Sequence, residues 1–187
     1  MSTPKLCLNM IVKNESKIIR RLFDSVCNII DSYCICDTGS TDGMNAIEKN
    51  WTLFAGLTGA LKTVYGWYPF TLYKSGVQQS NLPPFFKDVR GSCNGIAVGS
   101  KTWFLCHTVS YEDRRYYYHL IIVLDAETSK VKRWTKYFTF EGKHIEYALG
   151  FLYDESKEEF MLGYSVMDRT TEFKRVSKKA LDSLFIK

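Results

Sequence analysis

Residues 102–124 read TWFLCHTVSYEDRRYYYHLIIVL, two apolar and aromatic runs separated by a short polar segment. Both runs are rich in the β-branched and aromatic residues that favour strands. Tyr111-Glu112-Asp113 between them is typical of a turn, so the stretch predicts antiparallel strands over 102–109 and 116–124. Comparable runs predict further strands over 63–68, 95–98, 130–140, 145–153, 160–167 and 172–176. The chain after residue 50 therefore predicts an antiparallel meander, closed by a short helix over 178–185 that Ser177 caps.

The first fifty residues have a different pattern. Residues 6–12 and 33–36 are short apolar runs, and apolar residues recur at helical spacing over 17–30 between them. Two strands joined by a helix predict a parallel pair with a right-handed crossover. The predicted fold class is thus an α/β start, a β-α-β unit over 1–50, followed by a β-rich module over 51–187.

Composition narrows the class of protein. The 187 residues carry a net charge of +5 and are 45% hydrophobic and 15% aromatic, which fits one or two folded domains. No basic stripe indicates nucleic-acid binding, no apolar run approaches the roughly 18 residues that would cross a bilayer, and no signal peptide is visible. The six cysteines lack a CxxC pair, so we expect buried free thiols in a reducing compartment, the cytoplasm; disulfides or a zinc site are the alternative.

Two motifs in the first unit bear on function. Residues 10–15 read Met-Ile-Val-Lys-Asn-Glu and residues 37–42 read Asp-Thr-Gly-Ser-Thr-Asp. Asn14 and Glu15 follow the first predicted strand, and Asp37 follows the second. Ligands of open parallel sheets bind at the carboxyl ends of the strands, so both motifs should lie at one binding edge. Residues 5–50 resemble the start of family 2 glycosyltransferases. The resemblance implies that Asn14, Glu15, Asp37 and Asp42 hold the nucleoside of a nucleotide-sugar.

Such enzymes also need a second acidic motif that holds a divalent metal, Mg²⁺ or Mn²⁺, on the diphosphate, and a catalytic base. The candidates for the metal are Asp125 and Glu127, which follow the strand predicted over 116–124. The alternative interpretation of residues 125–130 is a hairpin turn. Because the motif lies far beyond Asp37 and no base is recognisable, we expect little or no transfer activity.

Polar residues also interrupt the apolar strands of the second unit. Unpaired polar groups are costly to bury, so these residues predict a wet pocket with acid, base and anion-binding groups. The candidate residues are Arg90, His107, Arg115, His119, Glu146 and Asp168. The alternative is that they satisfy turns and strand ends.

Residues 63–176 resemble the module that follows a family 2 glycosyltransferase domain in some large-DNA-virus and bacterial proteins. That module is similar to the five-bladed propellers of mannoside phosphorylases and related glycosidases. The resemblance implies carboxylate roles for Glu146 and Asp168, and sugar or anion roles for the two arginines and two histidines named above. Five blades need about 20 strands and the sequence predicts about eight, so we expect incomplete blades with exposed edges that favour self-association.

Two functions therefore stand as hypotheses. The first is a glycosyltransferase-like protein of glycan assembly with a partial nucleotide-sugar site. The second is a non-catalytic carbohydrate-binding or structural remnant of such a protein. Divalent-metal-dependent binding of a nucleoside diphosphate favours the first, and retention of glycans by the β-rich module favours the second.

Overall fold

The computed structural model describes residues 7–12, 14, 18–26, 28–29, 32–37, 51–56 and 59–186. Of these described residues, 54% lie in strands and 11% in helices, and most of the strands form antiparallel sheet. The chain divides into two compact units, Met1–Trp51 and Thr52–Lys187.

The described part of the first unit contains one short helix and two strands. Strand β1 (Cys7–Val12) pairs in parallel with β2 (Ser32–Asp37), in register from Cys7 opposite Ser32 to Val12 opposite Asp37. Helix α1 (Ile19–Val26) comes between them in sequence and is shorter than the predicted 17–30.

The predicted fold class, an α/β start followed by incomplete propeller blades, is wrong. The parallel pair has only two strands among the described residues, and every other described strand pair is antiparallel. A parallel sheet needs crossovers of about a dozen residues or more, whereas most turns after residue 59 are short and join antiparallel neighbours. The described sheets of the second unit form successive packed layers.

The first sheet, β3–β6, is a meander of four strands in sequence order. It comprises β3 (Thr52–Ala55), β4 (Leu61–Trp67), β5 (Phe70–Leu72) and β6 (Gly76–Gln79). Only β4 corresponds to a predicted strand.

The central sheet, β7–β11, follows a short 3-10 helix at Pro84–Asp88. Its long hairpin includes residues 102–124, and the two short strands that precede the hairpin in sequence both pair with its first strand. Its strands are β7 (Arg90–Gly91), β8 (Ile96–Val98), β9 (Lys101–Tyr111), β10 (Arg115–Asp125) and β11 (Val131–Trp134).

The third sheet, β12–β14, ends the fold. It comprises β12 (Glu146–Asp154), β13 (Glu159–Val166) and β14 (Thr170–Ser177), in that order, and helix α2 (Lys178–Asp182) follows. The predicted cap of α2 is confirmed, because the Ser177 hydroxyl accepts a hydrogen bond from the Ala180 N–H at 3.2 Å.

The central sheet is buried on both faces, which explains its near-continuous apolar hairpin. Phe104 and Leu120 pack with the first sheet, in a core that also contains Trp67 and Phe70. The opposite face packs with the third sheet and α2 through Trp103, Leu105, Ile121 and Val123. Each buried Leu, Ile or Val contributes about 1.5–3 kcal/mol relative to an exposed one, so the buried residues of this hairpin stabilise both layers.

Candidate functional site

The two predicted histidines meet across the central hairpin. His107 on β9 lies directly opposite His119 on β10. Opposite residues of antiparallel strands project from the same face, here the one packed against the third sheet. Their residues are only 3% and 0% exposed, so two ionisable rings lie inside the second unit.

His107 is surrounded by polar and aromatic groups. Its Nδ1 and the Ser92 hydroxyl oxygen are 2.8 Å apart and share a hydrogen bond. The rings of Tyr117 and Tyr147 lie 5.6 and 5.3 Å from the His107 ring, centroid to centroid. Burial, and then the nearby positive charge of Arg90, lower the pKa of His107 from 6.5 to about 4. The ring is therefore neutral at physiological pH.

His119 lies deeper. Neither of its ring nitrogens has a hydrogen-bond partner among the described residues, and its ring is 4.2 Å from that of Phe140. Burial and repulsion by His107 lower the pKa of His119 to about 3. Backbone groups of Phe138 and Glu146 oppose that shift weakly, since they lie near the ring without the geometry of a hydrogen bond. An unpaired buried imidazole costs stability, so this position is an unusual use of histidine.

Glu146 is fully buried, and its carboxylate is already occupied. It accepts hydrogen bonds from the backbone N–H groups of Phe140, Glu141 and Lys143. The two bonds to Oε1, from Glu141 and Lys143, are 2.9 and 2.7 Å long. The side chain thus fastens the loop before β12.

The arginines lie at the outer part of the same region. Arg90 on β7 is exposed and opposite His107, and it makes no salt bridge within the described residues. Arg115 lies 5.4 Å above the Tyr117 ring and 3.9 Å from the carboxylate of Asp168, which belongs to the exposed β13–β14 turn. An exposed pair at this distance contributes little to stability.

These side chains are ordered by depth. Arg90 is exposed, Ser92, Tyr117 and Tyr147 are half-buried, and the histidines are buried. Such an order suits a polar ligand, because the arginine can attract an anion and the tyrosines can contact an apolar face. We call this set of residues the histidine cluster: Arg90, Ser92, His107, Tyr117, His119 and Tyr147.

The sequence prediction named three of these residues and missed three. Tyr117 could have been found, because it precedes His119 by two positions and so shares its face of β10. Ser92 and Tyr147 come from other segments, and only tertiary packing brings them to His107. Of the other predicted pocket residues, Glu146 holds a loop and Asp168 pairs with Arg115.

The predicted metal ligands do not fit a metal site. Asp125 Oδ2 is 2.8 Å from the Lys101 ammonium, and Oδ1 accepts bonds from the Thr128 N–H and hydroxyl. The bond from Lys101, followed by those from Thr128, holds the pKa of Asp125 well below its usual range. Glu127 is exposed in the turn. Within the described ranges, no group of three His, Cys, Asp or Glu side chains could hold a metal ion.

The predicted nucleotide edge lies only partly within the described residues. The parallel register places Val12 opposite Asp37, so the carboxyl ends of β1 and β2 lie at one edge. Asn14 is exposed just beyond β1, with a φ of 57° that asparagine tolerates better than most residues. Glu15 and Asp42 lie outside the described residues.

Cys93 and Cys106 are buried free thiols, as the sequence predicted. Burial raises the pKa of Cys93 to about 12 and raises that of Cys106 well above its usual value. Both are therefore protonated and unreactive at physiological pH.

The described helices are too short and too polar to span a bilayer.

No protein-family model matches the chain, and no curated protein matches its sequence.

Proposed function

We propose that this protein binds carbohydrate without catalysing its transfer, and that the ligand carries an anionic substituent. The observation that carries the proposal is the arrangement around His107, where two tyrosine rings and an exposed arginine surround a buried neutral imidazole. Aromatic rings contact the apolar C–H face of a sugar ring, and a guanidinium binds a carboxylate, sulfate or phosphate.

The acid–base inventory favours binding over catalysis. A general base works best when its pKa is near the working pH. The pKa values of His107 and His119, about 4 and about 3, lie far below that range. Among the residues that the sequence predicted for a pocket, both carboxylates, Glu146 and Asp168, have partners. The cluster thus offers hydrogen bonds and positive charge but no poised proton acceptor.

The test uses the full chain on an array of matched oligosaccharides that differ only in a carboxylate, sulfate or phosphate group. We expect the anionic members to be retained and their neutral counterparts to be weaker. Arg90→Ala should weaken retention by about 10- to 100-fold, the scale of a lost charge-assisted hydrogen bond.

Lys132→Ala is the matched control, since it removes one positive charge from an exposed position on β11, away from β7. Equal retention by the parent protein and Arg90→Ala would show that the cluster is not the binding site. No retention of any oligosaccharide would refute the proposed function.

The second candidate function is nucleotide binding by the first unit, as in a nucleotide-sugar transferase. The register of β1 with β2 favours it, because Val12 and Asp37, the last residues of the two strands, share one strand-end edge. Calorimetric titration of the full chain with a nucleoside diphosphate, with and without Mg²⁺ or Mn²⁺, tests this candidate separately from glycan retention.

A further inference from the structure

β14 is one of the two edge strands of the third sheet. Among the described residues it pairs only with β13, and residues 170–175 are all exposed. An eight-residue edge presents a row of backbone N–H and C=O groups to which another strand can bond.

The edges of the other two sheets of the second unit are shorter or partly occupied. On β11, the Val131 N–H donates to Gln79 Oε1 at 3.0 Å, and the Trp134 carbonyl accepts from the Ile186 N–H at 3.1 Å. On β3, the Leu53 carbonyl accepts from the Gly95 N–H at 2.7 Å. β6 has only four residues. β12, the other edge of the third sheet, has nine residues, but Glu146, Ala148 and Phe151 on it are buried. β14 thus has the longest run of exposed residues on any edge strand that the structure describes in this unit.

The residues of β14 divide between two faces. Glu172 and Lys174 lie opposite the buried Tyr164 and Leu162 of β13, on the face turned toward the core. Phe173 lies opposite Gly163 on the outer face and is 73% exposed. A large aromatic side chain exposed on an edge strand is a common feature of interaction surfaces.

We propose that two copies of this chain form a homodimer in which β14 pairs antiparallel with β14 of the second copy, with Phe173 at the two-fold axis. The third sheet of one copy then continues into the third sheet of the other copy. A two-fold axis that relates antiparallel edge strands is perpendicular to the sheet, so it keeps each residue on its own face. The numbers of two opposing residues must therefore add to an even number.

The charge pattern selects one of the possible registers. With Phe173 at the axis, Glu172 of each copy lies opposite Lys174 of the other copy, which gives two oppositely charged pairs. The two Phe173 rings lie opposite each other. A shift that centres Glu172 or Lys174 places two like charges directly opposite. Opposite charges and aromatic pairs stabilise cross-strand positions, and like charges destabilise them.

Charge reversal followed by mixing tests this register. Sedimentation velocity on the full chain over a concentration series should show a dimer for the parent protein. Glu172→Lys alone and Lys174→Glu alone each bring two like-charged pairs together and should raise the dimer dissociation constant about tenfold or more. An equimolar mixture of the two variants should restore the dimer, because each lysine then faces a glutamate.

The double variant Glu172→Lys/Lys174→Glu keeps the opposite pairing and should dimerise like the parent protein. Both variants that replace Lys174 lose the internal hydrogen bond, 3.1 Å long, from its ammonium to the Phe140 carbonyl. A dimeric double variant would therefore show that Lys174→Glu weakens the dimer through the interface and not through the loss of that bond. A monomeric parent protein at the highest soluble concentration would overturn the proposal. So would a dimer that both single variants leave unchanged, as expected for contact through another surface, or a mixture and double variant that stay monomeric.

Discussion

His107 and His119 face each other across β9 and β10, both buried, and neither ring nitrogen of His119 has a hydrogen-bond partner in the described structure. A core that contains two adjacent imidazoles is stable only while both are neutral. The groups that approach them include Tyr117, Tyr147 and the positively charged Arg90. Its charge disfavours protonation of His107 further.

We predict that the protein loses stability as the pH falls below about 6.5. A histidine side chain ordinarily has a pKa of 6.5, and the folded structure lowers this pKa to about 4 for His107 and about 3 for His119. The unfolded chain therefore binds protons in this interval that the folded chain does not. For each histidine, the free energy of unfolding should be about 2 kcal/mol lower at pH 5 than at pH 7. The loss should level off once the pH falls below the pKa of that histidine in the folded protein. Urea unfolding at a series of pH values measures it.

His119→Phe identifies the source of that loss. A phenyl ring has a shape similar to that of imidazole and suits a site beside Phe138 and Phe140. We expect the variant to be at least as stable as the parent protein at pH 7 and to lose about 2 kcal/mol less between pH 7 and pH 5. An unchanged pH dependence would contradict this assignment.

The sequence predicted this part of the molecule better than the rest, for a physical reason. The long hairpin of β9 and β10 is local, and its turn and apolar runs are readable in 102–124. Segment 130–140 shows the opposite case, since strand pairing ends at Trp134 and continues only as isolated bridges of Thr135 to Phe185 and His119 to Phe138. Its backbone bonds go to distant segments, including Lys136 N–H to the Leu184 carbonyl at 2.9 Å, which no local pattern specifies.

In the candidate site too, features set by local sequence were predicted, and features set by tertiary packing were not. The facing of His107 and His119 results from a local register, and both residues were predicted. Glu146 was predicted to line a pocket, but it holds a loop, because its three N–H donors lie within six residues of it in the chain. An acidic residue in an apolar run is therefore ambiguous until the backbone groups around it are known.

A second prediction concerns that buried carboxylate. Glu146→Gln keeps the shape of the side chain but replaces one acceptor oxygen with an N–H₂ group and removes the charge. We expect a loss of about 2–4 kcal/mol in the free energy of unfolding, since at least one buried N–H group loses its acceptor. Glu127→Gln, exposed in a turn, is the control and should change stability by about 0.5 kcal/mol or less. Similar effects of the two substitutions would show that the loop does not depend on Glu146.

A third prediction concerns close packing between the first and central sheets. A Cβ added at Gly95 would lie 2.5 Å from the Phe104 ring and 2.8 Å from Phe54 Cβ. Both residues are buried, so Gly95→Ala should destabilise the protein by about 1–3 kcal/mol. The control is Gly150→Ala on β12, where the nearest atom would lie 4.0 Å away and the glycine is not in the left-handed region. Thermal unfolding of the two variants in parallel measures the difference, and equal midpoints would contradict this packing.

A fourth prediction concerns the first unit. If the strand-end edge binds a nucleoside diphosphate, Asp37→Ala should weaken binding by about 1–3 kcal/mol, the scale of a lost hydrogen bond to a charged group. Asp24→Ala is the matched control, because it also replaces an aspartate with alanine, at an exposed position on α1. Calorimetric titration of both variants decides the matter, and equal affinities would exclude a role for Asp37.

The last prediction is that the full chain does not transfer sugar at a detectable rate. Transfer from a nucleotide-sugar needs a held donor, a metal on the diphosphate and a base beside the acceptor hydroxyl. The only acidic pair predicted for the metal includes Asp125, whose two carboxylate oxygens already bond to Lys101 and Thr128. A metal and a base each contribute several kcal/mol, and each 1.36 kcal/mol is about tenfold in rate, so losing both removes most of the acceleration. The measurement is product formation from a panel of nucleotide-sugars with Mg²⁺ or Mn²⁺, for the parent protein and Asp125→Ala. We expect no product from either, whereas turnover that Asp125→Ala abolishes would show that this turn opens to hold the metal and that the protein is a transferase.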